Sequence, residues 1–272
     1  MPSHLPDTIG IVTAFFDIGR SEWTSAPHLH RPTDIYFERF AHLATLDNEM
    51  VIYTSEDFVP KIRALRKGKE DRTHIIPVPY AESFTEKREA IRRVQNDEDF
   101  RRRINPKQIQ NPEYWSADYV LVNSLKSVFA THAVQYNLLR SPLVAWLDFG
   151  YCRSAETLDG NTQWQYPFAP DKIHLFVSSP DYAGVPISYI VENNLTFISG
   201  AAIITGRDLW QKLLGLTQIA MNELLKDNMI DDDQTLLLMA SLYEPALFEL
   251  HRIPKREWQP VLRLFNTNAE AA

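Results

Sequence analysis

Four short stretches of this 272-residue chain hold residue types that could do chemistry. In Ala145-Trp146-Leu147-Asp148-Phe149-Gly150-Tyr151, a carboxylate ends an apolar run, and Gly150 two positions on lets backbone approach a ligand. A carboxylate so placed suits Mg2+ or Mn2+, hard cations that take one or two protein carboxylates and complete their shell with substrate phosphate oxygens. A turn in which Asp148 only accepts backbone hydrogen bonds is the plainer alternative. The second stretch, Thr13-Ala14-Phe15-Phe16-Asp17-Ile18-Gly19-Arg20, runs from an apolar strand into a loop. There Asp17 is placed to bond a ribose or a base edge, and Arg20 to pair with a phosphate.

Asp231-Asp232-Asp233-Gln234 opens a helical run, and three adjacent carboxylates repel one another. Either they cap the helix at the positive end of its dipole, or one works as a base or sugar-hydroxyl acceptor with Gln234 as partner. Phe197-Ile198-Ser199-Gly200-Ala201-Ala202 is a strand of small residues, where a ligand or a packed helix can come close. His251, near the end of the last expected strand, lies either within reach of a metal and phosphates or at the margin of the core.

Several chemistries are excluded. The single cysteine, Cys152, rules out an internal disulfide and a cysteine-rich zinc site. Neither a His-Glu-x-x-His zinc motif nor a Gly-x-Ser-x-Gly nucleophile elbow occurs. The lone glycine after the first strand makes neither a dinucleotide fingerprint nor a P-loop. A formal charge of −7 argues against a nucleic-acid partner. Hydrophobic residues at 44% and charged residues at 23% are the balance of an ordinary globular chain. The first residues lack a secretory signal and no apolar run spans a bilayer, so a cytoplasmic protein is expected, with at most peripheral membrane contact.

Elements to position these residues can be read from periodicity. Thr8–Phe16 reads as a strand buried on both faces of a parallel sheet. A helix follows a Thr33 cap, then a strand at Met50–Tyr53, a helix at Phe58–Leu65 and a strand at His74–Val78. This β-α-β-α-β order is Rossmann-like. The arginine-rich stretch from Thr85 to Lys107 pairs Glu89 with Arg93, Asp97 with Arg101, Glu98 with Arg102 and Asp99 with Arg103 at helical spacing, which predicts an exposed, charge-laced helix. Asn111-Pro112-Glu113 predicts the start of a long helix reaching about Leu139. Strands are expected at Leu143–Leu147, Ile173–Val177, Thr196–Ile204 and Ala246–Ile253, with helices to about Lys226 and from Asp232 to Leu242. The domain plan is one globule over 1–272, with a nucleotide-binding lobe at 1–150, an acceptor-binding lobe at 151–266 and a flexible tail at 267–272.

The blocks Ile11–Arg20, Tyr114-Trp115-Ser116-Ala117-Asp118-Tyr119 and Trp146–Tyr151 resemble the bacterial HtrL/YibB family, over most of the chain. That family is associated with cell-surface polysaccharide loci, and its plan is similar to GT-A-type glycosyltransferases. The resemblance implies an α/β fold with a Rossmann-like mixed central sheet flanked by helices. It assigns the first block, with Thr13, Phe15, Asp17 and Arg20, to the nucleoside, and Asp148 to the metal station. Ser199 and Gly200 would line the acceptor side, Asp231–Asp233 would lie near the sugar, and Lys126 is either a donor contact or a snorkelling surface lysine. A full Asp-x-Asp motif needs an acid at position 150, where this chain has Gly150, so His251 or an Asp of the cluster would complete the metal site, or the enzyme works without metal.

The expectation is therefore a glycosyltransferase moving a sugar from a nucleoside-diphosphate sugar, UDP being the commonest, to a glycan or glycolipid hydroxyl in bacterial surface polysaccharide (lipopolysaccharide) synthesis, assisted by Mn2+ or Mg2+. The rivals are a sugar-phosphate nucleotidyltransferase and a non-catalytic nucleotide- or glycan-binding protein.

Overall fold

The structure is a computed structural model, and it describes residues 8–23, 29–179, 181–254, 257 and 259–267. The opening hexapeptide and residues 268–272 of the expected tail lie outside the described residues.

One seven-stranded sheet runs through both expected lobes. Its strands are β1 (Ile9–Phe15), β2 (Met50–Thr54), β3 (Thr73–Pro77), β4 (Leu143–Leu147), β5 (Ile173–Val177), β6 (Ile198–Gly206) and β7 (Phe248–Arg252), in the spatial order β3-β2-β1-β4-β6-β5-β7. β1, β2, β3 and β4 are mutually parallel, β6 is antiparallel to both β4 and β5, and β7 runs parallel to β5. The Rossmann-like mixed central sheet flanked by helices expected from the sequence is thus the plan observed. β1, β2, β4 and β5 are near-continuous apolar runs because helices cover both their faces.

One face carries α3 (Thr85–Gln95), α5 (Ala117–Ser124), α6 (Lys126–Gln135), α8 (Trp210–Lys226) and α9 (Asp233–Tyr243), packed on Val12, Tyr53, Trp146, Leu175 and Ile203. The other carries α1 (Thr33–Leu43), α2 (Val59–Leu65) and the short α10 (Val261–Leu264), packed on Ile11, Ile52, Leu147, Phe176 and Ile204.

Two expected elements differ. The long helix from Asn111 is divided: Pro112–Tyr114 makes only a 3-10 turn, and Ser116 recaps the chain by accepting from the Tyr119 N–H at 3.2 Å. A bend at Leu125 then separates α5 from α6. Its cause is local, since Asn123 donates to the Tyr119 carbonyl and Ser124 to the Leu121 carbonyl, competing with the helix ladder. The arginine-rich helix is divided too, because Asp97 caps α4 (Glu98–Arg103) by accepting from the Phe100 N–H instead of pairing with Arg101. Its observed ion pairs are one residue tighter than expected, Glu89 with Arg92 and Asp99 with Arg102, while Arg103 turns to Glu192 and the Asn228 carbonyl. Thr33 is the first residue of α1 and not its cap, which is Pro32.

Candidate functional site

After β1 the chain moves outward through β2 and β3, then returns to lay β4 on the other side of β1. That makes the β1–β4 boundary a topological switch point, where open α/β sheets leave a crevice beyond the strand ends. An open cleft of about 700 Å3, partly solvent, lies there. Its walls come from the residues after β1, including Asp17 and Arg20, from Thr33 and Tyr36 of α1, from Tyr119 and Lys126, and from Asp148 and Gly150 after β4.

The floor is an ion-paired constellation that joins three distant segments. The Lys126 ammonium donates to Asp233 Oδ2 at 2.8 Å and to the Gly200 carbonyl at 2.9 Å, and lies 3.0 Å from Asp148 Oδ1. Lys126 and Asp233 are 6% and 8% exposed in their side chains, whereas Asp148 is 41% exposed and opens into the cleft. Lys126 is therefore not the snorkelling lysine: it sits on the first turn of α6, on the helix face turned to the sheet, and reaches the start of β6. Burial opposes its charge, but Asp148 and Asp233 outweigh burial and hold its pKa above the ordinary lysine value. Trp146 Nε1 donates to Asp148 Oδ1 at 2.9 Å, fixing the carboxylate's orientation. Gly200 has a steric reason to be glycine, because a Cβ there would overlap the Asp233 carboxylate.

At the rim, four arginines gather around Tyr36. Arg20 donates to the Tyr36 hydroxyl at 2.6 Å and to the Leu29 carbonyl, with its guanidinium against the rings of Trp23, Tyr36 and Tyr119. Burial, then repulsion from Arg31, pulls its pKa down. Arg39 is lowered by burial and by Arg31 and Arg20, and Arg153 by burial and by Arg39 and Arg31. Among the described residues, none of the four has a carboxylate within ion-pair distance. Arg20 Nε and Arg39 Nη1 are buried without a hydrogen-bond partner. Such a cluster repels itself and leaves donors unmet, a state that a bound polyanion relieves. Of these, sequence reasoning singled out Arg20 alone. Tyr36 and Arg39 share a face of α1 by their spacing, but nothing in the sequence brings Arg31 and Arg153 to that face.

Asp17 shapes the loop: Oδ1 accepts from the Gly19 N–H at 2.9 Å and Oδ2 from the Thr33 hydroxyl at 2.8 Å. Gly19 adopts φ 74°, the left-handed conformation that glycine reaches without strain. Phe15 lines the cleft while its ring packs among Tyr36, Phe37, Phe58 and Phe149. Thr13 is fully buried within β1 and does not line the cleft.

The acidic run is buried at the N-terminus of α9. Asp232 caps the helix through the Gln234 N–H at 3.0 Å, leaving Gln234 a backbone partner, and Asp231 accepts from its neighbour's N–H and from the Thr235 hydroxyl at 2.7 Å. Neither Asp231 nor Asp232 lines the cleft; Asp233 reaches it through Lys126. Glu113, also buried, adds its charge to those of Asp231 and Asp232. Burial first and mutual repulsion second raise the pKa of Glu113, and the same two causes act on Asp232. Ser199 is buried in β6.

His251 and Asp148 face opposite sides of the sheet. Asp148 shares its side with Trp146, on the α6 face, whereas His251 stacks on Phe176, on the α1 face. Among the described residues two carboxylates line the cleft: Asp17, whose oxygens accept from the Gly19 N–H and the Thr33 hydroxyl, and Asp148, already bonded by Trp146 and Lys126, with Gly150 packed against Tyr36 where the second acid of the motif would stand. Without substrate phosphate oxygens this donor set is too sparse to hold a resident Mn2+ or Mg2+.

The chain belongs to the HtrL/YibB family. The family described as "Bacterial protein of unknown function (HtrL_YibB)" matches residues 7–267. Protein HtrL of Escherichia coli (strain K12) is 37% identical over 269 residues, covering 96% of this chain and 94% of that protein. Among solved structures, mouse xyloside xylosyltransferase 1 aligns with 89% of this chain and 84% of its own at 12% identity and a TM-score of 0.41. A cytidylyltransferase from Leptospira borgpetersenii aligns with 95% of this chain and 81% of its own at 14% identity and a TM-score of 0.39. These two are likenesses of general plan alone. Among the described residues no helix is long and apolar enough to cross a membrane.

Proposed function

We propose that this HtrL/YibB chain is a nucleotide-sugar-dependent glycosyltransferase that holds the donor diphosphate on the arginines at the rim of the β1–β4 cleft. The observation that carries the reading is the convergence of Arg20, Arg31, Arg39 and Arg153 without carboxylate partners, two of them with buried, unpartnered nitrogens. A diphosphate supplies the acceptor oxygens those donors lack, and the N-terminus of α1 adds its positive dipole end at Thr33.

As the glycosidic bond to the diphosphate breaks, negative charge grows on the leaving oxygen. Fixed guanidinium groups stabilise that charge without reorganising. Asp148, held by Trp146 and Lys126, stays oriented into the cleft as an acceptor for a donor-sugar hydroxyl. Asp233 and Gly200 position Lys126, and through it Asp148. Asp231, Asp232 and Gln234 set the start of α9 behind them. The positive charge that the family resemblance assigns to a metal is supplied here by arginine and lysine side chains, and no step is routed through a cation. The acceptor class, a glycan or glycolipid hydroxyl, rests on that resemblance.

A thermal-shift series against nucleoside diphosphates and nucleotide sugars, with Mn2+, with Mg2+ and with chelator, tests the reading. A ligand at about a hundred times its dissociation constant stabilises the fold by about 2.7 kcal/mol. The expected result is a shift with one nucleoside diphosphate that survives chelation and is at least halved in Arg39→Ala. A shift that requires metal would overturn the arginine–lysine account. No shift with any nucleotide would favour a non-catalytic glycan-binding protein.

A further inference from the structure

His251 has a different set of neighbours from the one its position near the strand end suggests. On the α1 face of the sheet, along β5 and β7, the register sets His174 beside Glu249 and Phe176 beside His251. His174 Nδ1 lies 2.9 Å from His251 Nε2 and 3.5 Å from Glu249 Oε2, and His251 Nε2 lies 3.9 Å from Glu249 Oε1. One ligand atom from each of the three residues falls within 4.8 Å of the other two. Ligand atoms around a four-coordinate ion with bonds of about 2.0–2.2 Å stand about 3.4 Å apart; the His–His distance is a little shorter than this and the two His–carboxylate distances, which run to different oxygens of Glu249, are equal or a little longer.

We propose that His174, Glu249 and His251 form a transition-metal site of the Zn2+ class, separate from the cleft and on the opposite face of the sheet from Asp148. The hydrogen bonding prepares it. His174 Nε2 lies 2.9 Å from the Ala169 carbonyl, which can only accept, so the proton sits on Nε2 and the Nδ1 lone pair points at the cluster. A backbone carbonyl on the far ring nitrogen is the usual outer support of a metal-bound histidine. In the metal-free chain, the His251 Nε2 proton is donated to that lone pair. On metal binding this proton moves to Nδ1 of His251, and the ion takes its place between the two rings.

The donor set selects the metal. Two imidazoles and one carboxylate suit Zn2+ and its neighbours, not the all-oxygen shell of Mg2+ or Ca2+. Phe168, Phe176 and Phe265 pack against His251 and exclude water on the sheet side, while half-exposed Glu249 leaves an open direction for a solvent molecule as fourth ligand. The ion would staple the edge strand β7 to β5.

The test uses the untagged full chain after chelator treatment, titrated with Zn2+ alone by calorimetry and with Co2+ by visible absorption. One equivalent of Zn2+ and the absorption of four-coordinate Co2+ are expected. Glu249→Gln, at a half-exposed position where folding is not at stake, should weaken binding by more than the roughly 10–100-fold that the loss of an outer support costs. His251→Asn should abolish the Co2+ spectrum while circular dichroism stays that of the wild type. Absence of Zn2+ uptake by the wild type, or equal uptake by both variants, would overturn the site. Because the readout is metal uptake without nucleotide, it is independent of the function proposed for the cleft.

Discussion

Replacing Lys126 with methionine keeps most of the apolar stem of the side chain and removes the ammonium, with its charge and its donations to Asp233 and the Gly200 carbonyl. At 2.8 Å and an effective dielectric constant of about 20, the gross attraction to Asp233 is about 6 kcal/mol. Burial of the two groups offsets several kcal/mol of this, and the contact to half-exposed Asp148 adds no more than about 1 kcal/mol. What the substitution exposes is the buried Asp233 carboxylate left without a cation, a loss of about 3–5 kcal/mol at pH 7. Its pH dependence identifies the cause. In Lys126→Met the Asp233 pKa rises further, so its contribution is full below the unfolded value near 4 and is lost as pH climbs through the raised folded value. The wild-type lysine titrates above pH 10 and contributes a constant amount below that. The gap between variant and wild type should therefore widen from pH 5 to pH 8 in urea unfolding followed by tryptophan fluorescence. Lys126→Met/Asp233→Asn should recover most of the loss. A gap below about 1 kcal/mol, unchanged with pH, would refute the buried pair.

Gly200→Ala should lose about 1–3 kcal/mol in the same assay, by forcing Asp233 off the lysine, and should lose little in an Asp233→Ala background where the overlap is gone. Asp232→Asn keeps a good helix cap while removing a buried charge whose pKa is raised by burial and by its acidic neighbours. That raised group stabilises below its unfolded pKa and loses the contribution as pH rises, so the variant should gain about 1–3 kcal/mol on the wild type between pH 4.5 and pH 8; a parallel pair of curves would contradict it. Arg39→Ala should raise the dissociation constant for the nucleoside diphosphate by about 10–100-fold, or 1.4–2.8 kcal/mol by calorimetry, with folding stability unchanged. Equal affinity would move the diphosphate off that arginine.

The sheet was readable from sequence because its central strands are apolar runs bounded by turns, and all seven fall where periodicity puts them, give or take a residue or two at the ends. The helix breaks were less readable. Asn123 and Ser124 are ordinary helix-surface residues by pattern, and only their hydrogen bonds to preceding carbonyls bend the chain. Asp148, Asp17, Arg20 and Gly150 were legible in the cleft because strand ends announce themselves. The partnership of Lys126 with Asp233 was not, since it depends on which helix face meets β6 and on how closely Gly200 admits a carboxylate. The arginine cluster escaped for a similar reason: Arg31, Arg39 and Arg153 come from a loop, a helix and a second loop that only the fold assembles. His251 was noticed for its position, but strand alternation turned it to the other face.

The Lys126–Asp233 contact spans 107 residues of sequence, which sets an order on synthesis of the chain. At about 5–20 residues per second, the ribosome delivers Asp233 about 5–20 s after Lys126. During that interval the only counter-charge at hand is half-exposed Asp148, so docking α6 on β1 and β4 would bury the ammonium without Asp233 and the Gly200 carbonyl to offset the loss of water. The emerging N-terminal half is thereby kept from closing early, and a fragment ending at Gly150 should remain loosely packed until the acidic segment arrives. The expected consequence is a nascent chain that packs α6 fully only once the carboxyl-terminal part is present to receive the charge, and a compact, cooperatively folded 1–150 fragment would refute it.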